Sequence, residues 1–112
     1  MAQTTFSGPV KSDNGFIVGT GTAALTKLLT ASATLDFPSI AAVSQANLTI
    51  TVTGAAVGDE VMLSLPAAPT AGIVFNAFVS AANTVTVRAT NVTAGAIDPA
   101  SATYGVIVLA AA

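Results

Sequence analysis

Acid–base and nucleophilic chemistry need reactive groups that can be brought together, and this chain offers few. Its carboxylates are Asp13, Asp36, Asp59, Glu60 and Asp98, of which only Asp59 and Glu60 are neighbours. Two carboxylates acting as acid and base must face one cleft. Adjacent residues of an extended segment point apart, and the Gly54 to Glu60 stretch that holds this pair reads as a solvated turn. Calcium would need several clustered oxygen ligands, whereas the other acids stand singly and without EF-hand spacing. Histidine and cysteine are absent, which removes Ser–His relays, thiolate nucleophiles, disulfides and the usual zinc and copper sites. Lys11 or Lys27 would have to serve as base for the many serines and threonines, and no S-x-x-K arrangement occurs. Gly19-Thr20-Gly21-Thr22 has a G-x-G look but lacks the further glycine, the lysine and the βαβ unit of a phosphate loop, so it reads as a hinge. Asn47-Leu48-Thr49 and Asn91-Val92-Thr93 match the glycosylation pattern. In a threonine-rich chain such matches arise by chance. The expectation is a protein without catalytic residues, cofactor or metal.

Charge points towards protein partners instead. The 112 residues suit a single domain, and 53% of them are hydrophobic. Only 7% are charged, against about 25% in an ordinary soluble domain. Lys11, Lys27 and Arg88 against five acids leave a net charge of −2, and no basic patch exists to meet a row of phosphates, so nucleic acid is not an expected partner. A compact monomer of this mass exposes about 5,600 Å², which is roughly one charge per 700 Å² on a surface where charges of both signs commonly make up about a quarter to a third of residues. Much of that surface is expected to face another protein, the alternative being a neutral monomer solubilised by hydroxyls and amides. The mean hydropathy of +0.79 comes from alanine and valine dispersed among threonines. The longest apolar run, Val106 to Ala112, is far shorter than the roughly 20 residues of a spanning helix, so no membrane is expected. Met1 to Thr5 lacks the positive and apolar regions of a secretory signal, so no export is expected.

The elements that would position these residues are read from a period-two alternation that dominates from Leu29 onward. Leu29, Ala31, Ala33, Leu35 and Phe37 share one strand face before Pro38; Ala46, Leu48, Ile50 and Val52 share another; Val61, Leu63 and Leu65 form a third row. Ile73 to Ala81 and Thr84 to Thr90, separated by Ala82-Asn83, read as a hairpin with Ile73, Phe75, Ala77 and Val79 facing Val85, Val87 and Ala89. Asn91 to Thr103 reads as a long loop before a last strand, in which Tyr104, Val106 and Val108 point one way and Ile107 and Leu109 the other. Both faces of that strand call for cover, so Ile107 and Leu109 are candidate contacts with a partner. Phe78 sits on a face otherwise holding Asn76 and Ser80, which makes it either an interface anchor or a core residue. Arg88, on a threonine face, reads as a subunit salt bridge or a solvating charge. Between Thr20 and Leu29 a short helix is compatible with Ala23, Ala24, Lys27 and Leu28. Residues 1–20 carry Phe6, Val10, Phe16 and Ile17 between glycines; Asn14-Gly15 suits a small hairpin over residues 5–18, and an extended arm ordered by a partner is the alternative. Strands with Gly/Pro-rich connections and no intervening helices predict an all-β fold, an antiparallel β-sandwich or small barrel over residues 21–112 with an extended N-terminal arm over residues 1–20.

The opening Met1-Ala2-Gln3-Thr4-Thr5-Phe6-Ser7-Gly8-Pro9-Val10, followed by Asn14-Gly15-Phe16, resembles that of small tailed-bacteriophage virion proteins. Leu35-Asp36-Phe37-Pro38-Ser39-Ile40, Val52 to Asp59, Ala81 to Arg88 and Asn91 to Ala100 resemble a β-module of phage head and fibre proteins, so the likeness spans nearly the whole chain. An arm and one such module are similar to capsid decoration, or cement, proteins. That resemblance implies a non-enzymatic homotrimer on the outside of a phage head, assembled in the host cytoplasm, whose partner is the major capsid protein and whose role is to brace the lattice. It carries no contact residue onto a particular position. A receptor- or glycan-binding module of a head or tail fibre is the alternative.

Overall fold

A computed structural model describes residues 3–21 and 23–111. Met1 and Ala2 of the arm, Thr22 of the hinge and Ala112 of the C-terminal apolar run lie outside the described residues.

Six strands follow in chain order: β1 (Leu25–Leu35), β2 (Gln45–Thr51), β3 (Glu60–Ser64), β4 (Ile73–Ala81), β5 (Thr84–Asn91) and β6 (Ala102–Ala111). They form two antiparallel three-stranded sheets, ordered β1-β6-β3 and β2-β5-β4. The two sheets stack with β1 against β2 and β3 against β4. No ladder joins one sheet to the other among the described residues, so the fold is an all-β sandwich and not a closed barrel. Its central strands, β5 and β6, carry the most deeply buried valines. Val85, Val87 and Ala89 of β5 are fully enclosed, as are Val106 and Val108 of β6. Central strands are covered on one face and paired on both edges, the environment that stiff branched side chains fit best.

Phe37, Phe75 and Tyr104 fill the middle of the core with ring centroids 5.5 to 6.0 Å apart, edge-on or tilted. Such geometry places ring edges against ring faces. Burial pushes the Tyr104 hydroxyl above its usual pKa. The β4–β5 hairpin turns through Ala82-Asn83, and Asn83 takes a positive φ of 62°, which asparagine tolerates better than most residues. That tip is fastened to the β2–β3 loop: Asn83 O accepts from Val52 N, Asn83 N donates to Ala55 O, and Asn83 Oδ1 accepts from Gly54 N.

Several expectations are corrected. The segment compatible with a helix before Leu29 contains the start of β1, because Leu25 to Leu29 find the edge of β6 (Leu25 opposite Ala111, Leu28 opposite Leu109) and tertiary pairing outweighs weak helix propensity. The hairpin over residues 5–18 does not form. Of Asn14 and Gly15 only the glycine has positive φ, whereas a type I′ turn needs both. Phe16 instead makes a reciprocal antiparallel bridge with Leu25 (Phe16 N to Leu25 O 3.1 Å, Leu25 N to Phe16 O 2.7 Å). Leu65 lies beyond the end of β3 and is exposed, not part of the inward row. Asn91 closes β5 and is buried, so the long loop begins after it.

Candidate interaction surfaces

Asp59, Lys27 and Asn91 each hold parts of the fold together. Asp59 is not a freely solvated turn residue: its Oδ2 accepts from Lys27 Nζ at 2.8 Å and from Ala56 N at 3.0 Å. The Lys27 hydrogen bond first, then the Ala56 amide, hold its carboxyl below the ordinary range. This ion pair ties the β2–β3 loop to the beginning of β1. Glu60 points the other way, onto the outer face of β3 opposite Leu109. Among the described residues no three His, Cys, Asp or Glu side chains gather. The second glycosylation match is also structural. Asn91 donates from Nδ2 to Ile40 O (2.9 Å) and Gly95 O (2.8 Å), and its Oδ1 accepts from Thr93 N (2.9 Å) and Thr93 Oγ1 (2.7 Å). An amide so engaged and enclosed presents no nitrogen for modification.

The outer face of the β1-β6-β3 sheet is apolar at one end. The register aligns Leu28 and Leu109 with Glu60 at the rim, and Thr30, Ile107 and Met62 in the next row. Leu28 and Met62 are 59% and 57% exposed, Ile107 is about one-third exposed, and Leu109 is half-buried. One row further on, Gly105 lies between Ser32 and Ser64 and leaves a notch bounded by Met62 and Ile107. Ile107 and Leu109 are expected here. Leu28 and Met62 are not, because Leu28 falls in the helix-compatible stretch and Met62 lies on the side of a short strand opposite the row of Val61 and Leu63. The signal was present in Leu28-Leu29, where neighbouring leucines on a strand must face opposite sides.

The arm presents the remaining candidates. Phe6 is 66% exposed and Ile17 is 61% exposed, with Val10 and Phe16 near half. No strand is assigned between residues 3 and 21, and one bridge, Phe16 to Leu25, joins the segment to the edge of β1. The chain exposes 7107 Å², about 1,500 Å² more than the compact-monomer scaling gives, and its radius of gyration of 17.6 Å exceeds the roughly 13 Å of a compact chain of this length.

Phe78 lies on the opposite side of the molecule from Ile107 and Leu109, on the outer face of β2-β5-β4 and not in the core. The Arg88 guanidinium carbon stands 5.1 Å from its ring centroid, and Arg88 Nε donates to Asn47 Oδ1 at 3.0 Å. The rest of that face is hydroxyl and amide, with Asn76 across from Arg88 and Thr86 between Thr49 and Phe78. The two outer faces thus differ in kind, one carrying an apolar cluster beside Glu60 at the end nearest the arm, the other hydrogen-bonding with a single cation. No protein-family model, curated protein or solved structure matches this chain.

Proposed function

We propose that this chain is a non-catalytic virion structural protein, a capsid decoration or cement protein that binds the major capsid protein on the outer surface of a phage head as a homotrimer. The observation that carries the reading is the arm: Phe6, Val10, Phe16 and Ile17 stand uncovered on a segment joined to the sandwich by one bridge. Fixing the backbone of such a segment costs about 1–2 kcal/mol per residue. It is ordered only where a partner covers those side chains and completes the backbone hydrogen bonds, as in strand addition to a sheet edge. The apolar end of the β1-β6-β3 face continues from the arm, since Phe16 pairs with Leu25 three residues before Leu28. Sparse charge on both surfaces lets neighbouring copies approach without repulsion. The resemblance of the opening and of the β-module to phage virion proteins supplies the particle. The test is to mix the full chain with purified heads that lack it, and separately with tails. Saturable binding to heads at a fixed number of copies per capsomer is expected, and binding to tails alone overturns the reading.

A receptor- or glycan-binding fibre module is the second reading, favoured by the hydroxyl and amide face around Arg88 and Phe78. On that reading the tail sample, not the head sample, takes up the protein.

A further inference from the structure

We infer that the outer face of the β2-β5-β4 sheet is a binding face for a carboxylate-bearing saccharide, with Arg88 as the group that receives the carboxylate. The inference does not depend on where on a particle the protein sits.

Arg88 is the one cation without a carboxylate partner among the described residues. Lys11 pairs with Asp13 at 2.9 Å and Lys27 with Asp59 at 2.8 Å. No acidic residue shares the Arg88 face, whose registered positions are Gln, Asn, Thr, Ala, Val and Phe apart from Arg88 itself. The side chain is also held in place. Its Nε donates to Asn47, its guanidinium rests beside the Phe78 ring, and the two terminal nitrogens have no acceptor among the described residues. A guanidinium fixed at one end and stacked on an aromatic ring keeps its outer edge for a planar acceptor, and two parallel N–H groups match a carboxylate. Prior fixing reduces the side-chain entropy lost on binding.

The surroundings choose the rest of the ligand. Asn47 and Asn76 flank Arg88 across the strands and Thr90 follows it along β5, while Thr86 is buried and donates its hydroxyl to Ser80 Oγ. Amides and hydroxyls that donate and accept match a ring of sugar hydroxyls. Phe78, 37% exposed, offers a patch for the C–H side of a sugar. A protein partner would need an apolar centre with several anchors, and this face has one aromatic residue and Val74.

The test follows ¹H–¹⁵N spectra of the full chain titrated with trigalacturonic acid, with its methyl ester and with an acetylated, amidated Ala-Glu-Ala peptide. The free acid is expected to shift the Arg88 Nε–H and the Asn47 and Asn76 side-chain amides, saturating in the millimolar range that one charged anchor supports, on the order of 4 kcal/mol. The methyl ester should leave them unmoved. Arg88→Gln should abolish the shifts, and Arg88→Lys should weaken binding by about tenfold, since an ammonium cannot make the paired contact. Unchanged amide dispersion shows that each variant is folded. The inference is overturned if no ligand shifts these signals, if the methyl ester shifts them equally, if Arg88→Gln still binds, or if the glutamate peptide saturates at lower concentration than the saccharide.

Discussion

Asn91 uses its whole amide inside the protein, joining the end of β5 to Ile40 on one side and to the Thr93–Gly95 turn on the other. Removing it takes away four hydrogen bonds in an enclosed place and leaves the Thr93 N–H without its acceptor, while the Ile40 carbonyl keeps Ile97 N and the Thr93 hydroxyl keeps Gly95 O. An unsatisfied group costs about 1–3 kcal/mol. Asn91→Ala is therefore expected to lower stability by roughly 2–4 kcal/mol in urea unfolding, and Asn47→Ala, on the exposed face, by under about 1 kcal/mol. Equal effects would contradict the assignment. In the sequence Asn91-Val92-Thr93 reads as a chance glycosylation match. The hint of its real role is the spacing, since an asparagine followed by a hydrogen-bonding residue two places on is also an Asx turn. Burial, which separates the two meanings, is not written in the local sequence. Asp59 gives a second residue-scale expectation. Its carboxyl lies below the usual range in the folded state, so its contribution is fully present above the unfolded value of about 3.9 and is lost as pH falls through the depressed folded value. Stability of the native chain should decline below about pH 4, and Lys27→Met should flatten that decline in acid titrations followed by circular dichroism. An unaltered acid limb in Lys27→Met would show that the pair adds nothing.

At the scale of elements, alternation reports which residues share a face but not which strands share a sheet. The inward rows on β1, β2, β4, β5 and β6 are legible because period two is the geometry of a strand with one covered face. The pairing is not. β2 follows β1 in the chain yet joins the other sheet, and β6 returns to lie between β1 and β3. Short-range signals identify the β4–β5 hairpin because its two-residue turn is local, and they fail for Leu25 to Leu28 because the pairing partner is more than 80 residues away in sequence. The arm turns on Gly15. Its φ is +87°, and a Cβ there would collide with the Leu25 carbonyl oxygen to which Phe16 bonds. Gly15→Ala should break the Phe16–Leu25 bridge while sparing the sandwich. Amide exchange at Phe16 and Leu25 is expected to become fast, with Val85 and Val87 as protected as before. Retained protection at Leu25 would show that the bridge does not depend on the glycine.

The whole molecule has a division of surfaces that its composition only hints at. Few charges imply a partner or a hydroxyl-rich coat, and the sandwich carries one on each side: Leu28, Met62, Ile107 and Leu109 with the arm, and the Asn–Thr face around Arg88 opposite. Composition cannot assign either to a sheet, since that depends on the strand order. Deleting residues 1–18 should leave the sandwich folded, with β5 amides protected, and reduce binding to heads by at least about tenfold. That loss corresponds to 1.4 kcal/mol or more and is a small part of what covering four large apolar side chains provides. Undiminished binding would move attachment to the sandwich itself. Cryo-microscopy of the particle that carries the protein tests the proposed role most directly. The expected map shows three sandwiches around a threefold or quasi-threefold axis on the outside of the head, their arms and β1-β6-β3 faces against the major capsid protein and the Arg88 face outward. Density for the sandwich at a fibre tip, or none on the head, would contradict it.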